Sequence, residues 1–151
     1  MNFLKAGMHK LPEYMQLRQA VESNALPAVA TGLSGIHKAT IINALVQDTN
    51  KTALLLAADE AEAQRICQDL TSMGLRSFIY PTRDFTFRNV ESASREYEHQ
   101  RIQVLSRILK HDCDVVVACM DAALQYTIPP NELEGRMIEL KKGQTVSLEQ
   151  V

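Results

Sequence analysis

Cysteine is scarce in this sequence, and its spacing favours no metal or disulfide chemistry. The three cysteines, Cys67, Cys113 and Cys119, are odd in number and form no CxxC pair, so neither a disulfide framework nor a cysteine zinc site is predicted. The four histidines also lack metal-ligand spacing with one another or with cysteine, which excludes the common mixed zinc sites. We expect the cysteines to be small buried hydrophobic residues in a reducing compartment.

An excess of positive charge is also missing. Lys and Arg total 16 against 18 Asp and Glu, which gives a net charge of -2. Without a basic field, nucleic acid is not expected to be the sole partner. No apolar run approaches the roughly 20 residues of a membrane span, and the first five residues lack the layout of a signal peptide. A cytoplasmic protein with no membrane contact is predicted.

The apolar pattern predicts alternating strands and helices in one compact domain. With 46% hydrophobic and 23% charged residues, the composition is that of an ordinary soluble domain. Helical spacing predicts helices at 11–23, after residue 35 through Val46, from Asp59 to Gly74, and at 94–110 with Ile102, Leu105, Ile108 and Leu109 facing inward. Short β-favouring runs predict strands at 28–31, 52–58, 75–80 and 114–119. The run 52–58 is almost continuously apolar, which is typical of an interior strand covered on both faces.

This alternation predicts an α/β fold with a parallel sheet flanked by helices. Helices between successive strands act as right-handed crossovers, and ligands of such folds bind at the carboxyl edge of the sheet. Asp59 and Glu62 resemble a capping box, and Gly74 supplies a stop for the helix that they begin. Asp59 also follows an apolar strand, as the magnesium-binding acid of ATPases does, but we favour the capping role.

The pattern changes after Pro129-Pro130. Residues 136–140 are predicted to form a strand, residues 141–143 a turn, and Ser147 with Gln150 a capping box. A helix that stops within one turn cannot offset its nucleation cost, so we expect a longer polypeptide. The predicted division is a first domain at 1–135 and the start of a following domain at 136–151.

The segment most informative about chemistry lies between the predicted first strand and the next helix. A working phosphate loop, GxxxxGK[ST], cradles phosphates with its backbone, and it places its Lys on phosphate and its hydroxyl on magnesium. Gly32 and Lys38 align with this pattern, but His37 replaces the second glycine and Ala39 replaces the hydroxyl residue. The residues of this candidate nucleotide loop are Gly32, Ser34, Gly35, His37, Lys38 and Ala39. We interpret the loop as vestigial, kept for its fold; the alternatives are a weak ATP site or a simple tight turn.

A second segment, 80–91, mixes aromatic and charged residues at the predicted ligand edge. Aromatic and arginine side chains are favoured at interfaces, so this loop is a candidate contact surface. The alternative is that its two phenylalanines fold back onto the sheet and its charges pair locally. The candidate interface residues are Arg83, Asp84, Phe85, Phe87 and Arg88.

Three stretches together resemble the N-terminal module of bacterial transcription-repair coupling factors, which is similar to the first domain of the excinuclease B subunit. They are the loop beginning at Thr31, the run Tyr80-Pro-Thr-Arg-Asp-Phe with Glu91 to Arg101, and Met137 to Gln144. The resemblance implies a RecA-like fold of the P-loop NTPase type. It also implies a degenerate nucleotide loop, in agreement with His37 and Ala39.

The resemblance further implies what the parent protein does. Coupling factors are ATP-driven, double-stranded DNA translocases that displace stalled RNA polymerase at lesions and recruit excinuclease A for nucleotide excision repair. Their ATP and magnesium belong to a separate motor, so no cofactor and no catalytic residue are expected in residues 1–151. The recruitment surface belongs mainly to the domain that begins after about Glu134.

Three functional classes are therefore in competition. The first is a non-catalytic scaffold module that contacts the other domains of its own chain. The second is an excinuclease-B-like or other nucleotide-dependent helicase domain, disfavoured by the missing magnesium hydroxyl. The third is a stand-alone α/β interaction domain, disfavoured by the interrupted helix near residue 147.

Overall fold

The computed structural model describes residues 2–82 and 96–138. Its helices and strands are α1 (Asn2–Met8), α2 (Pro12–Glu22), α3 (Gly35–Thr49), β1 (Ala53–Ala57), α4 (Glu60–Ser72), β2 (Ser77–Tyr80), α5 (Glu96–Leu109), β3 (Val115–Cys119), α6 (Met120–Leu124) and α7 (Pro130–Arg136). In this part of the chain, no helix is long and apolar enough to cross a membrane.

The three strands form a parallel sheet with β3 in the centre. The strand order is β1-β3-β2, and Val115 lies opposite both Ala53 and Ser77. All five residues of β3 are buried, as expected for a central parallel strand covered on both faces. The carboxyl ends of the strands, at Ala57, Tyr80 and Cys119, therefore lie along one edge of the sheet.

Successive residues of β3 separate two hydrophobic clusters. Val115 and Val117 pack with the buried residues of α3 and α4, whereas Val116 and Ala118 pack with Val104 of α5 and Ala122 of α6. This alternation follows from the period of two in a strand, so the sheet carries helices on both faces. Each of the three cysteines is buried and unpaired, which confirms that part of the sequence prediction.

Local chemistry accounts for both ends of α4. The Asp59 carboxylate caps the helix by accepting from the Glu62 N–H at 2.7 Å, which confirms the predicted capping role. Gly74 follows the helix with φ 93°, a left-handed conformation that glycine adopts without steric cost. The bounds of this helix follow the predicted ones closely.

One buried carboxylate attaches the two N-terminal helices to α3. The Asp48 side chain is 3% exposed and lies 2.7 Å from both Lys5 Nζ and His9 Nε2. The Tyr14 hydroxyl donates to it at 2.6 Å, and Arg18 lies 3.8 Å away. Burial, the largest effect, acts to raise the pKa of Asp48, but hydrogen bonds from Lys5, Tyr14 and His9 outweigh it and hold the pKa below its ordinary value.

The predicted strand at 28–31 is wrong. These residues are exposed and do not form a strand, and Val29 is among the most exposed apolar residues at 87%. A strand is stabilised by hydrogen bonds and packing with a neighbour, and in the described sheet neither β1 nor β2 pairs with this segment. A β-favouring composition is therefore not sufficient to form a strand without a pairing partner.

The interior position predicted for 52–58 is also wrong. β1 is an edge strand of the described sheet, with β3 as its one hydrogen-bonded neighbour. Leu55 packs toward the core cluster, but Leu54 and Leu56 point to the other face and are 63% and 53% exposed. A continuous apolar run is the same in sequence whether or not a second layer covers it.

The inward face of α5 agrees with the predicted one at Leu105, which packs against the second hydrophobic cluster, but differs from it at two other positions. Arg101 and Val104 are buried, while Ile102 and Ile108 are 51% and 38% exposed. The helix is thus rotated so that an arginine faces the core. The strand predicted from 136 to 140 is wrong at Arg136, the last residue of α7; residues 139–140 lie outside the described part.

Candidate functional site at the carboxyl edge of the sheet

The glycine-containing loop leads directly into α3. Gly32 has φ 75°, the left-handed region that favours glycine, and Ser34 is the N-cap residue in an extended conformation. Because no strand precedes the loop, the expected strand-loop-helix unit is reduced to loop and helix. The position at the start of a helix is nevertheless the predicted one.

His37 lies within the helix and not in the turn. His37 takes the place of the second glycine of a phosphate loop, but α3 begins at Gly35, so His37 is in ordinary helical backbone. Its Nδ1 is 3.1 Å from the Ser34 hydroxyl. The contact joins two side chains of the first turn, and Ser34 does not cap a backbone N–H of the helix.

Lys38 has an acidic partner from another helix. Its Nζ lies 3.2 Å from Glu62 Oε1, and the two side chains are 46% and 27% exposed. The second oxygen of Glu62 accepts from the Ala58 N–H at 2.9 Å. Lys38, which belongs to the loop interpreted as vestigial, thus links the first turn of α3 to the first turn of α4 through an ion pair.

Ala39 is oriented toward the core. It is 0% exposed and belongs to the cluster around Val115 and Val117, so a hydroxyl at this position would point into apolar packing. The adjacent Thr40 donates its hydroxyl to the Ile36 carbonyl at 2.8 Å, a contact within its own helix. Neither side chain is arranged as a magnesium ligand, and in the described ranges no group of three His, Cys, Asp or Glu side chains could hold a metal ion.

A buried arginine links the segments that follow β2 and β3 at the carboxyl edge of the sheet. Arg101 is 4% exposed, and its Nη1 donates to the Pro81 carbonyl at 2.7 Å and to the Gln125 side chain at 3.1 Å. Its guanidinium also lies over the Tyr80 ring, 4.0 Å from the centroid, a geometry that adds cation–π attraction. Arg101 thereby connects α5 with the segments that follow β2 and β3.

Sequence reasoning missed Arg101 because it assigned the inward face of α5 from apolar residues alone. Arg101 is three residues before Val104, so helical spacing places it on the buried face. That spacing was a usable signal, but a charged residue at such a position is ordinarily assigned to solvent.

An open cleft of about 480 Å³ lies beside Arg101, between α5, α7 and residues 126–128. Ile102, Leu105 and Leu133 supply apolar walls, and Glu98 and Arg136 supply charged side chains. Tyr80 and Thr127 also line the cleft, and their hydroxyls form a hydrogen bond of 2.8 Å. The cleft accounts for the exposure of Ile102, which the sequence predicted to be buried.

The predicted interface loop begins where expected but is otherwise outside the described residues. Thr82 Oγ1 lies 3.1 Å from Cys119 Sγ, which places the start of the loop at the carboxyl end of β3. Arg83, Asp84, Phe85, Phe87 and Arg88 all lie in the undescribed range 83–95. Their role as a contact surface stays a prediction.

The fold defines the class of protein as α/β, with a parallel three-stranded sheet flanked by helices, consistent with a RecA-like or Rossmann-type arrangement. Over 104 residues, the chain is 32% identical to the transcription-repair-coupling factor of Bacillus subtilis (strain 168). The match covers 68% of this chain and 9% of the relative, so the chain corresponds to a small part of that protein's length. No family model matches the chain, and no solved structure matches it.

Proposed function

We propose that this chain is a non-catalytic scaffold module of a transcription-repair coupling factor. The observation that carries the proposal is the 32% identity to the Bacillus subtilis factor, combined with a loop whose lysine is paired to Glu62 and whose Ala39 is buried. In this proposal the longer protein is a DNA translocase that uses ATP and magnesium in a separate motor. It displaces stalled RNA polymerase and recruits excinuclease A.

The role of the module is to position its neighbour. We propose a domain boundary near residue 135, where α7 ends at Arg136, and a following domain that carries the recruitment surface. The buried contacts of Arg101 with the segments after β2 and β3 support a rigid carboxyl edge. A rigid edge suits a platform that holds another domain in a defined orientation.

Titration calorimetry with Mg-ATP tests the non-catalytic part of the proposal on the chain alone. We expect no saturable binding at micromolar concentrations, because each hydrogen bond to a charged group contributes about 1.5 to 3 kcal/mol and the metal-linked contacts are missing. Saturable micromolar binding would instead favour an excinuclease-B-like or other nucleotide-dependent helicase domain. The matched variant Lys38→Ala should behave as the parent sequence does.

The scaffold part is tested in the longer coupling factor. Deletion of residues 1–135 should leave ATP hydrolysis by the motor in place and should impair recruitment of excinuclease A, because the following domain is misplaced. Lys38→Ala should change neither activity. If Lys38→Ala abolishes ATP hydrolysis or recruitment while circular dichroism shows a folded protein, the loop has a nucleotide function and the proposal is wrong.

A further inference from the structure

Lys38 meets a carboxylate where a working phosphate loop would present it to phosphate. In such loops the lysine reaches the β and γ phosphates of the nucleotide. Here the Lys38 ammonium and the Ala58 N–H bind the two oxygens of Glu62, at 3.2 Å and 2.9 Å. Two contacts, one from α3 and one from the segment between β1 and α4, therefore hold the carboxylate beside the first turn of α3.

The electrostatics around this pair disfavour a second anion. The hydrogen bond from Ala58, and then the pairing with Lys38, lower the pKa of Glu62, so the side chain is ionised at neutral pH. A phosphate that approached Lys38 would meet a lysine already paired with Glu62 and a carboxylate of its own sign.

We propose that Glu62 is a built-in counter-anion that takes the place of phosphate at Lys38 and keeps phosphate ligands out of this loop. The inference rests on the proposed function, in which the loop does not use nucleotide. It adds a second reason why the loop does not bind nucleotide. Besides lacking a hydroxyl for magnesium, the loop carries a carboxylate that repels phosphate. Glu62 is thus a specificity-determining residue whose effect is to exclude a ligand.

Inorganic tripolyphosphate, without magnesium, is the appropriate probe because it presents phosphate charge without requiring a metal site. Glu62→Gln removes the charge but keeps an oxygen that can accept from Ala58. Glu60→Gln is the matched control, because it makes the same charge change in the same turn and its exposed side chain makes no hydrogen bond or ion pair among the described residues. Binding is measured by calorimetry on the full chain, with folding checked by circular dichroism.

Glu62→Gln should bind tripolyphosphate at least about tenfold more tightly than the parent sequence, a change that corresponds to one charge-assisted contact. Glu60→Gln should change binding far less, since its carboxylate does not touch Lys38. Adding Lys38→Ala to Glu62→Gln should remove the gain. The inference is overturned if Glu62→Gln gains no more than Glu60→Gln, or if the gain survives the loss of Lys38.

This outcome is separable from the proposed function. Micromolar Mg-ATP binding by the parent sequence would contradict the non-catalytic proposal, whereas equal tripolyphosphate binding by the two glutamine variants would contradict only the role of Glu62. If Glu62→Gln does not fold, a pH titration followed by NMR on the parent sequence tests whether Lys38 is paired with Glu62. The Lys38 side-chain signals should shift as pH falls through the lowered pKa of Glu62, and signals that do not respond would overturn the pairing.

Discussion

Asp48 is the residue on which the attachment of α1 and α2 depends. Its carboxylate is nearly fully buried and is bound by Lys5, His9 and Tyr14, while Tyr14 is the one α2 residue in the core. Asp48→Ala would leave the Tyr14 hydroxyl buried without this acceptor, although Lys5 and His9 could turn to water. We expect a loss of about 2 kcal/mol in the free energy of unfolding, measured with urea.

Glu13→Ala on the exposed side of α2 is the control for Asp48→Ala. The Glu13 side chain is exposed and makes no hydrogen bond or ion pair among the described residues, so its removal should change the free energy of unfolding by less than about 0.5 kcal/mol. Equal effects of the two substitutions would show that the Asp48 contacts do not hold the helices.

The same carboxylate should produce a pH dependence of stability. Because the pKa of Asp48 is lowered in the folded protein, its contribution is complete above the unfolded value of about 3.9 and is lost as pH falls toward the folded value. Asp48→Asn has no charge to lose at this position. The difference in unfolding free energy between the parent sequence and Asp48→Asn should therefore be larger near pH 7 than near about pH 3. A constant difference would contradict the shift.

Ala39 allows a test of whether the loop could be restored by a single hydroxyl. Ala39→Thr should destabilise the fold by about 1 to 3 kcal/mol, because extra atoms must enter a packed core, and it should confer no magnesium-dependent nucleotide binding. Ala61→Thr, at an exposed position of α4, should cost only the difference in helix propensity, less than about 1 kcal/mol. Thermal unfolding and Mg-ATP calorimetry are the measurements. A gain of ATP binding in Ala39→Thr would show that the side chain reaches a ligand site.

At the scale of elements, two arginines of α5 allow a matched comparison. Arg101 is buried and donates to the Pro81 and Ala122 carbonyls, whereas Arg107 is 35% exposed and lies 4.5 Å from the centroid of Phe78. Arg101→Ala should lower the free energy of unfolding by about 2 to 4 kcal/mol, since buried carbonyls lose charged donors. Arg107→Ala should cost about 1 kcal/mol or less. Urea unfolding of both variants tests this order, and a larger effect at Arg107 would contradict it.

Some features of the helices and strands depend only on residues close in sequence, whereas others depend on distant partners. The end of α4 is predictable because Gly74 takes up a backbone conformation that depends on the adjacent residues. By contrast, the strand predicted at 28–31 needed a pairing partner, and no local pattern reveals whether one is present. The burial of Arg101 likewise depends on carbonyls 20 and 21 residues away.

At the scale of the whole molecule, the exposed face of β1 predicts self-association. Leu54 and Leu56 share this face, and β1 is also an open edge of the described sheet, a combination that promotes association between chains. Replacing both leucines with lysine should reduce concentration-dependent association in sedimentation velocity. The free energy of unfolding should change by less than about 1 kcal/mol, because both side chains are largely exposed.

Leu55→Lys is the control on the opposite face of the same strand. Leu55 is half-buried against the core cluster, so a lysine there should destabilise the fold strongly, by about 3 kcal/mol or more. If the Leu54 and Leu56 substitutions unfold the protein as Leu55→Lys does, the face assigned as exposed is packed.

The sequence by itself determined the α/β class, the start and end of α4, the burial of the cysteines and the position of the loop before α3. These features depend on residue periodicity, capping and backbone conformation, all of which act over a few residues. Only the tertiary structure decided that β1 lies at an edge, that Arg101 faces inward and that Lys38 meets Glu62, 24 residues away. Such contacts depend on which groups the folded chain brings together and shields from water, and this information is not contained in any one segment.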